Sequence, residues 1–153
     1  VLFLLFDLGI DRYAIDVRQV KEVLPLLALR VLPQAPTGVA GLCNYRGLPV
    51  PVLDLCLMVT GKRARERLST RIIMVHYEGR AGERHILGLI AEHATETLRR
   101  DGSEFVEAGV RQDETPYLGP VTQLRDQLVQ WVKIENLLTP EVQLRLFTMA
   151  AES

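Results

Sequence analysis

The chain has 153 residues, 48% of them hydrophobic, which is enough for one ordinary domain with its own core and too apolar for wholesale disorder. Its 18 basic and 19 acidic residues leave a formal net charge of −1. That balance excludes the cationic excess that general nucleic-acid binding or an anionic membrane surface would require. Two cysteines, Cys43 and Cys56, each sit inside an apolar run, which suits small buried residues in a reducing, cytoplasmic setting better than a redox pair.

The chain opens on an apolar stretch, Val1–Leu8, far shorter than the roughly 20 residues of a membrane span and without the basic flank of a signal peptide. It reads as a strand apolar on both faces. Because no Met precedes Val1, a few residues are expected ahead of it. Gly9-Ile10-Asp11-Arg12 is a turn, and the alternation of Tyr13, Ile15 and Val17 with Ala14 and Asp16 makes a half-buried hairpin partner. Val17–Lys21 fits one helical turn, while Glu22–Leu24 fits helix and strand equally well.

Pro33 and Pro36 break the chain before a strand at Val39–Tyr45. Arg46-Gly47 is a tight turn into Leu48–Leu53. Pro49 and Pro51, two apart, remove both N–H groups from one side of that strand and mark an edge or a bulge. Asp54 is an N-cap for a short helix, Leu55–Thr60, closed by Gly61. The basic stretch Lys62–Arg67 reads as a solvated linker between two parts of the chain.

Arg71–Tyr77 and His85–Ala91 form a hairpin around the glycine-bearing turn at 78–84, with Ala94–Leu98 continuing extended. Arg99–Gly102 turns, and Phe105–Val110 is weakly patterned. Tyr117–Leu124 and Leu128–Ile134 form a last hairpin around Arg125-Asp126. Thr139-Pro140-Glu141 starts a helix running to about Met149, with Val142, Leu146 and Met149 expected on its inner face. Nine or ten short strands and two short helices favour small barrels over a βαβ fold.

No catalytic motif accompanies this pattern: there is no nucleophile elbow, P-loop, dinucleotide fingerprint or zinc-protease helix. His76 and His85 lie on the two arms of one hairpin, but two histidines without a third close ligand make a poor zinc site. The carboxylate pairs Asp113-Glu114 and Glu104 with Glu107 sit in polar loops rather than in a cleft that would tune them. No cofactor or metal is therefore expected. One alternative is a small β-barrel enzyme using His85, Cys43 or an acidic pair, which would need a pocket joining them. The remaining constellation is Asn44-Tyr45-Arg46-Gly47, which places a guanidinium fork at a hairpin tip, where it suits a partner carboxylate or backbone carbonyls.

The ordered set of short stretches resembles the CheW-like domains of bacterial chemosensory systems. The matching pieces are Phe6-Asp7-Leu8-Gly9, Tyr13-Ala14-Ile15-Asp16-Val17, Val20-Lys21-Glu22-Val23 and Pro33-Gln34-Ala35-Pro36. They continue as Gly41-Leu42-Cys43-Asn44-Tyr45-Arg46-Gly47 and Pro51-Val52-Leu53-Asp54-Leu55. Thr70–Val75, Leu87–Glu92, Tyr117–Gly119 and Val132–Leu138 match the second half more loosely, so the likeness covers nearly the whole chain, 1–153, as one domain of two intertwined subdomains. The resemblance implies an all-β fold of two small SH3-like five-stranded barrels packed together, no enzymatic activity and a cytoplasmic location. It implies two partners, the cytoplasmic tip of a chemoreceptor and the regulatory domain of a CheA-type histidine kinase, with no nucleic acid and no membrane insertion. A module cut from a larger kinase or from a receiver-fused adaptor would share the same pattern. Carried over by position, Arg46 and Glu22 face a partner, Val20 lies near them, and Gly41 and Gly47 shape that surface. Tyr45 stands where the family usually has Leu and abuts the contact Arg. Pro49 and Thr95 are further departures. Together they suggest an adaptor of an alternative chemosensory pathway.

Overall fold

A computed structural model describes residues 1–79, 81–107 and 115–153. Among them the order is β1 (Leu2–Leu8), β2 (Asp11–Asp16), β3 (Val20–Pro25), β4 (Val39–Tyr45), β5 (Leu48–Asp54), α1 (Leu55–Thr60), β6 (Arg71–Glu78), β7 (Arg84–Arg99), β8 (Leu118–Leu124), β9 (Gln127–Val132) and α2 (Pro140–Ala151). The fold is mainly β, as the short apolar runs imply. The ambiguous stretch after β2 divides: Val17–Gln19 is a 3-10 turn capped by Asp16, and Glu22 lies in a strand.

The organising element is β7. Its first half pairs with β6, from Glu78 opposite Arg84 to Arg71 opposite Ala91, and its second half pairs with β1 from Glu92 to Arg99. It therefore belongs to two five-stranded sheets, β3-β6-β7-β5-β4 and β7-β1-β2-β9-β8. The ladder shifts register where β7 passes from one sheet to the other, and His93 there has a φ of +50°. The two five-stranded sets match the SH3-like expectation, but among the described residues neither closes into a complete barrel. One isolated bridge, Arg30 with Leu42, spans the seam between β3 and β4, and another, Val106 with Val121, spans that between β7 and β8. β3 itself ends at Pro25, its last rung against β6.

Strand alternation sorts the core into three clusters. Leu4, Phe6 and Leu8 of β1 join Ile15, Ile73, Val75, Leu87 and Leu89 in the largest, which lies between the sheets. Phe3 and Leu5 point the other way, into a cluster with Ala14, Phe105 and Val129. Ile72 and Met74 do the same in the first sheet, meeting Val50, Val52 and Ile90. This explains why β1, β6 and the first half of β7 read as apolar runs rather than alternations: both faces are buried. Val52 of β5 thus faces the smaller cluster, whereas its neighbour Leu53 faces the larger one.

In β5 the ladder to β7 begins at Val52, just past the second proline. Among the described residues Leu48–Pro51 has only β4 as strand partner, so β5 is an edge over its proline half and an interior strand beyond it. Asp54 Oδ1 accepts the Leu57 N–H at 3.1 Å, and the chain leaves α1 through left-handed Gly61. In α2 the buried residues are Gln143, Leu146 and Ala150. Val142 and Met149, expected inward, are only half-buried, because the helix is rotated by about one position from the apolar stripe.

Candidate functional site

The β4–β5 hairpin ends in a two-residue turn in which both residues have positive φ, +52° at Arg46 and +84° at Gly47. Such turns match the twist of the flanking strands, and they normally take glycine, asparagine or aspartate at the first position. Asn44 secures the turn by accepting the Gly47 N–H on its side-chain oxygen at 3.0 Å. Arg46 therefore occupies a left-handed conformation that an L side chain adopts at a cost.

Alternation puts Tyr45 inward, where it is buried against the cluster containing Cys43 and Val50. Its hydroxyl donates to Glu22 Oε1 at 2.6 Å, and Arg46 Nη2 donates to the same oxygen at 3.0 Å. The guanidinium also lies 5.2 Å from the Tyr45 ring centroid. The hydrogen bond to Glu22, with burial, holds the Tyr45 phenol above its ordinary pKa, so it stays a donor. Arg46 is 71% exposed. The result is a guanidinium at the surface, steadied from below by a carboxylate and an aromatic ring.

The structure thus brings together Glu22, Tyr45, Arg46 and Gly47. Two other expected site residues do not join these contacts, although Val20 lies on the same strand as Glu22. Val20 is half-buried against the large core between the sheets, not against the cluster that holds Tyr45. Gly41 is buried rather than at the surface: a Cβ there would come within 2.5 Å of the Arg30 carbonyl. It leaves room for Arg30 to exchange backbone hydrogen bonds with Leu42 at 2.8 and 2.9 Å, so its part is to let the seam be bridged.

The residues considered for chemistry are scattered. Cys43 and Cys56 are free, buried and in different clusters, and burial pushes both thiols up. His85 sits opposite Tyr77 and His76 opposite Ile86, so the two imidazoles leave opposite faces of the hairpin. His85 stacks on Phe147 instead, with ring centroids 3.8 Å apart. Glu104 pairs with Arg100. Asp113 and Glu114 lie outside the described residues. A cleft of about 750 Å³ opens between the end of β6 and the start of α2, lined by Met58, Tyr77, Tyr117, Leu138 and Gln143 among others. Neither cysteine and no histidine lines it. Among the described residues no group of three or more His, Cys, Asp or Glu is placed to hold a metal, and no helix is long and apolar enough to cross a membrane.

Sequence reasoning missed the hold of two buried carboxylates, Glu92 and the helix-capping Asp54, on the 62–70 loop. Glu92 is only 3% exposed and accepts the backbone N–H and the Nε of Arg65 on Oε2 at 3.0 and 3.2 Å. Its other oxygen, Oε1, is buried without a hydrogen-bond partner among the described residues. Asp54, besides capping α1, accepts the Ala64 N–H at 3.0 Å. Thr70, also buried, donates its hydroxyl to the Arg65 carbonyl. The resemblance of Leu87–Glu92 to an acidic-ended strand was the available signal.

A family model described as the CheW-like domain matches residues 2–141. The chemotaxis protein CheW of Klebsiella aerogenes is 26% identical over 145 residues, spanning 91% of this chain and 82% of that one. The chemotaxis protein CheW of Helicobacter pylori is 23% identical over 137 residues, spanning 89% and 80%. Among solved structures, the scaffolding protein TtCheW from Thermoanaerobacter tengcongensis superposes with a TM-score of 0.79 over 90% of this chain and 87% of its own, at 23% identity.

Proposed function

The chain belongs to the CheW-like domain family, and on that premise we propose that it is a non-catalytic cytoplasmic adaptor coupling the cytoplasmic tip of a chemoreceptor to the regulatory domain of a CheA-type histidine kinase. The observation that supports the contact site is the Arg46 turn. A mostly exposed guanidinium is held by Glu22 and Tyr45 on a hairpin whose backbone is fixed by Asn44 and Gly47. A fork restrained in this way loses less side-chain entropy on meeting a carboxylate or a carbonyl pair than a freely rotating one. Arg is also among the residue types most often found at interface hot spots.

Among the described residues the strand β3 that carries Glu22 ends the sheet order, and the proline half of β5 has β4 alone as partner. The surface is therefore bordered by a strand edge that offers backbone groups to a partner, and by prolines that blunt pairing with the wrong one. Isothermal titration of the purified chain against a receptor-tip fragment and a kinase regulatory domain from the same organism tests the reading. Saturable binding to both is expected, and binding to neither would end the adaptor reading.

A further inference from the structure

The loop from residue 62 to residue 70, at the far end of β5 from the Arg46 turn, has no part in that site. By sequence it is a solvated linker, yet three buried groups fix it. Glu92 holds the Arg65 backbone and guanidinium, Asp54 holds the Ala64 amide, and Thr70 holds the Arg65 carbonyl. The loop also turns on itself, with the Thr70 amide donating to the Arg67 carbonyl at 3.0 Å and the Arg71 guanidinium reaching the Leu68 carbonyl. Burying two carboxylates is costly unless their hydrogen bonds are met, and here the loop meets much of that need, so the chain keeps it in one conformation.

What this fixed loop presents to solvent is specific. Lys62, Arg63 and Arg67 are exposed, and among the described residues none of their side chains has an ion pair. Between Arg67 and the anchored Thr70 stands Leu68, which is 96% exposed. A leucine left almost wholly in water on a pinned segment, next to Arg67 and on one loop with Lys62, Arg63 and a single exposed acid, Glu66, has the composition of an interface patch with an apolar anchor and a charged rim. We propose that the 62–70 loop is a second docking surface, and that its partner is an acidic protein segment carrying an apolar side chain among carboxylates.

Charge complementarity selects this occupant. A nucleic acid would leave Leu68 without a purpose, and a chain with 18 basic and 19 acidic residues lacks the cationic excess that such binding draws on. A short acidic segment meets both features, and the pinned backbone lowers the ordering cost of the contact. The proposal is independent of the Arg46 assignment.

Backbone-amide NMR of the whole chain titrated with a peptide of alternating glutamate and leucine tests it, alongside polyglutamate, phosphatidylglycerol vesicles and duplex DNA. Shifts centred on residues 62–70 are expected, with affinity that falls as salt rises. The double substitution Arg63→Glu/Arg67→Glu should weaken binding by about tenfold or more, since each 1.4 kcal/mol is a factor of ten. Leu68→Ala should weaken it severalfold, which an indifferent mat of charge would not show, and polyglutamate should bind less tightly than the leucine-bearing peptide. All three residues are exposed, so both variants should melt as the parent does. Shifts centred elsewhere, unchanged affinity in the charge-reversed chain, or tighter binding to vesicles or DNA than to the peptide would each overturn the proposal.

Discussion

At Arg46 two demands meet in one residue. The turn wants a residue that tolerates positive φ, and the surface wants a guanidinium. A left-handed conformation costs an ordinary L residue roughly 1–2 kcal/mol, a cost that asparagine largely escapes. Against that, an exposed ion pair such as Arg46 with Glu22 is worth about 0–1 kcal/mol. Arg46→Asn should therefore raise stability, by about 0.5 kcal/mol in urea unfolding, while partner binding falls. A substitution that stabilises and disables together marks a residue kept for function rather than folding. If Arg46→Asn destabilises the chain, the ion pair matters more to folding than this ordering of terms allows. The tip position of Arg46 was legible from Arg-Gly between two apolar runs. Its partner was not: Glu22 lies 24 residues away on a strand whose own assignment was open, and only the fold brings the two within 3.0 Å.

Among the elements, the 62–70 loop was read least well, because it is held by Glu92, and β7 was read as two extended pieces that join at that same residue. The stretch after it, His93 to Arg99, alternates weakly and is largely polar, yet it continues the strand because β1 supplies the ladder. The capped helix α1, by contrast, was legible to its ends, because Asp54 and Gly61 carry their geometry in their own chemistry. Burial would raise the Glu92 pKa, but the amide and guanidinium of Arg65 outweigh it and hold the carboxyl below its ordinary value. The stability this lends is complete above the ordinary glutamate pKa of about 4.3 and is lost as pH falls through the lower folded value. Glu92→Gln should cost roughly 2 kcal/mol at neutral pH, the scale of a hydrogen bond to a charged group. The gap from the parent should narrow below about pH 4. Melting curves across that range check it, and a gap independent of pH would show that the charge of Glu92 contributes nothing.

For the whole molecule, the shared strand and the cluster between the sheets make each sheet a support for the other. Phe6 and Ile15 of one sheet pack in the same cluster as Ile73 and Leu89 of the other, while the β4–β5 hairpin is braced by the smaller cluster of its own sheet and reaches the shared one through Leu53. The ordered run of short motifs made the family and the two five-stranded sets legible. The open seams were not, because a single bridge such as Arg30 with Leu42 has no motif beyond the glycine that admits it. A braced hairpin suits an adaptor, whose contact surface must survive engagement with two partners without rearranging. The central claim is that this hairpin tip is where the chain grips a partner, and Arg46→Glu tests it most directly. Charge reversal puts a carboxylate beside Glu22 and toward the partner, on a residue exposed enough for the fold to tolerate it. Measured by isothermal titration against the receptor tip and the kinase regulatory domain, affinity for at least one should fall by about tenfold to a hundredfold while melting stays near that of the parent. Unchanged affinity for both partners in a normally folded Arg46→Glu chain would contradict the assignment.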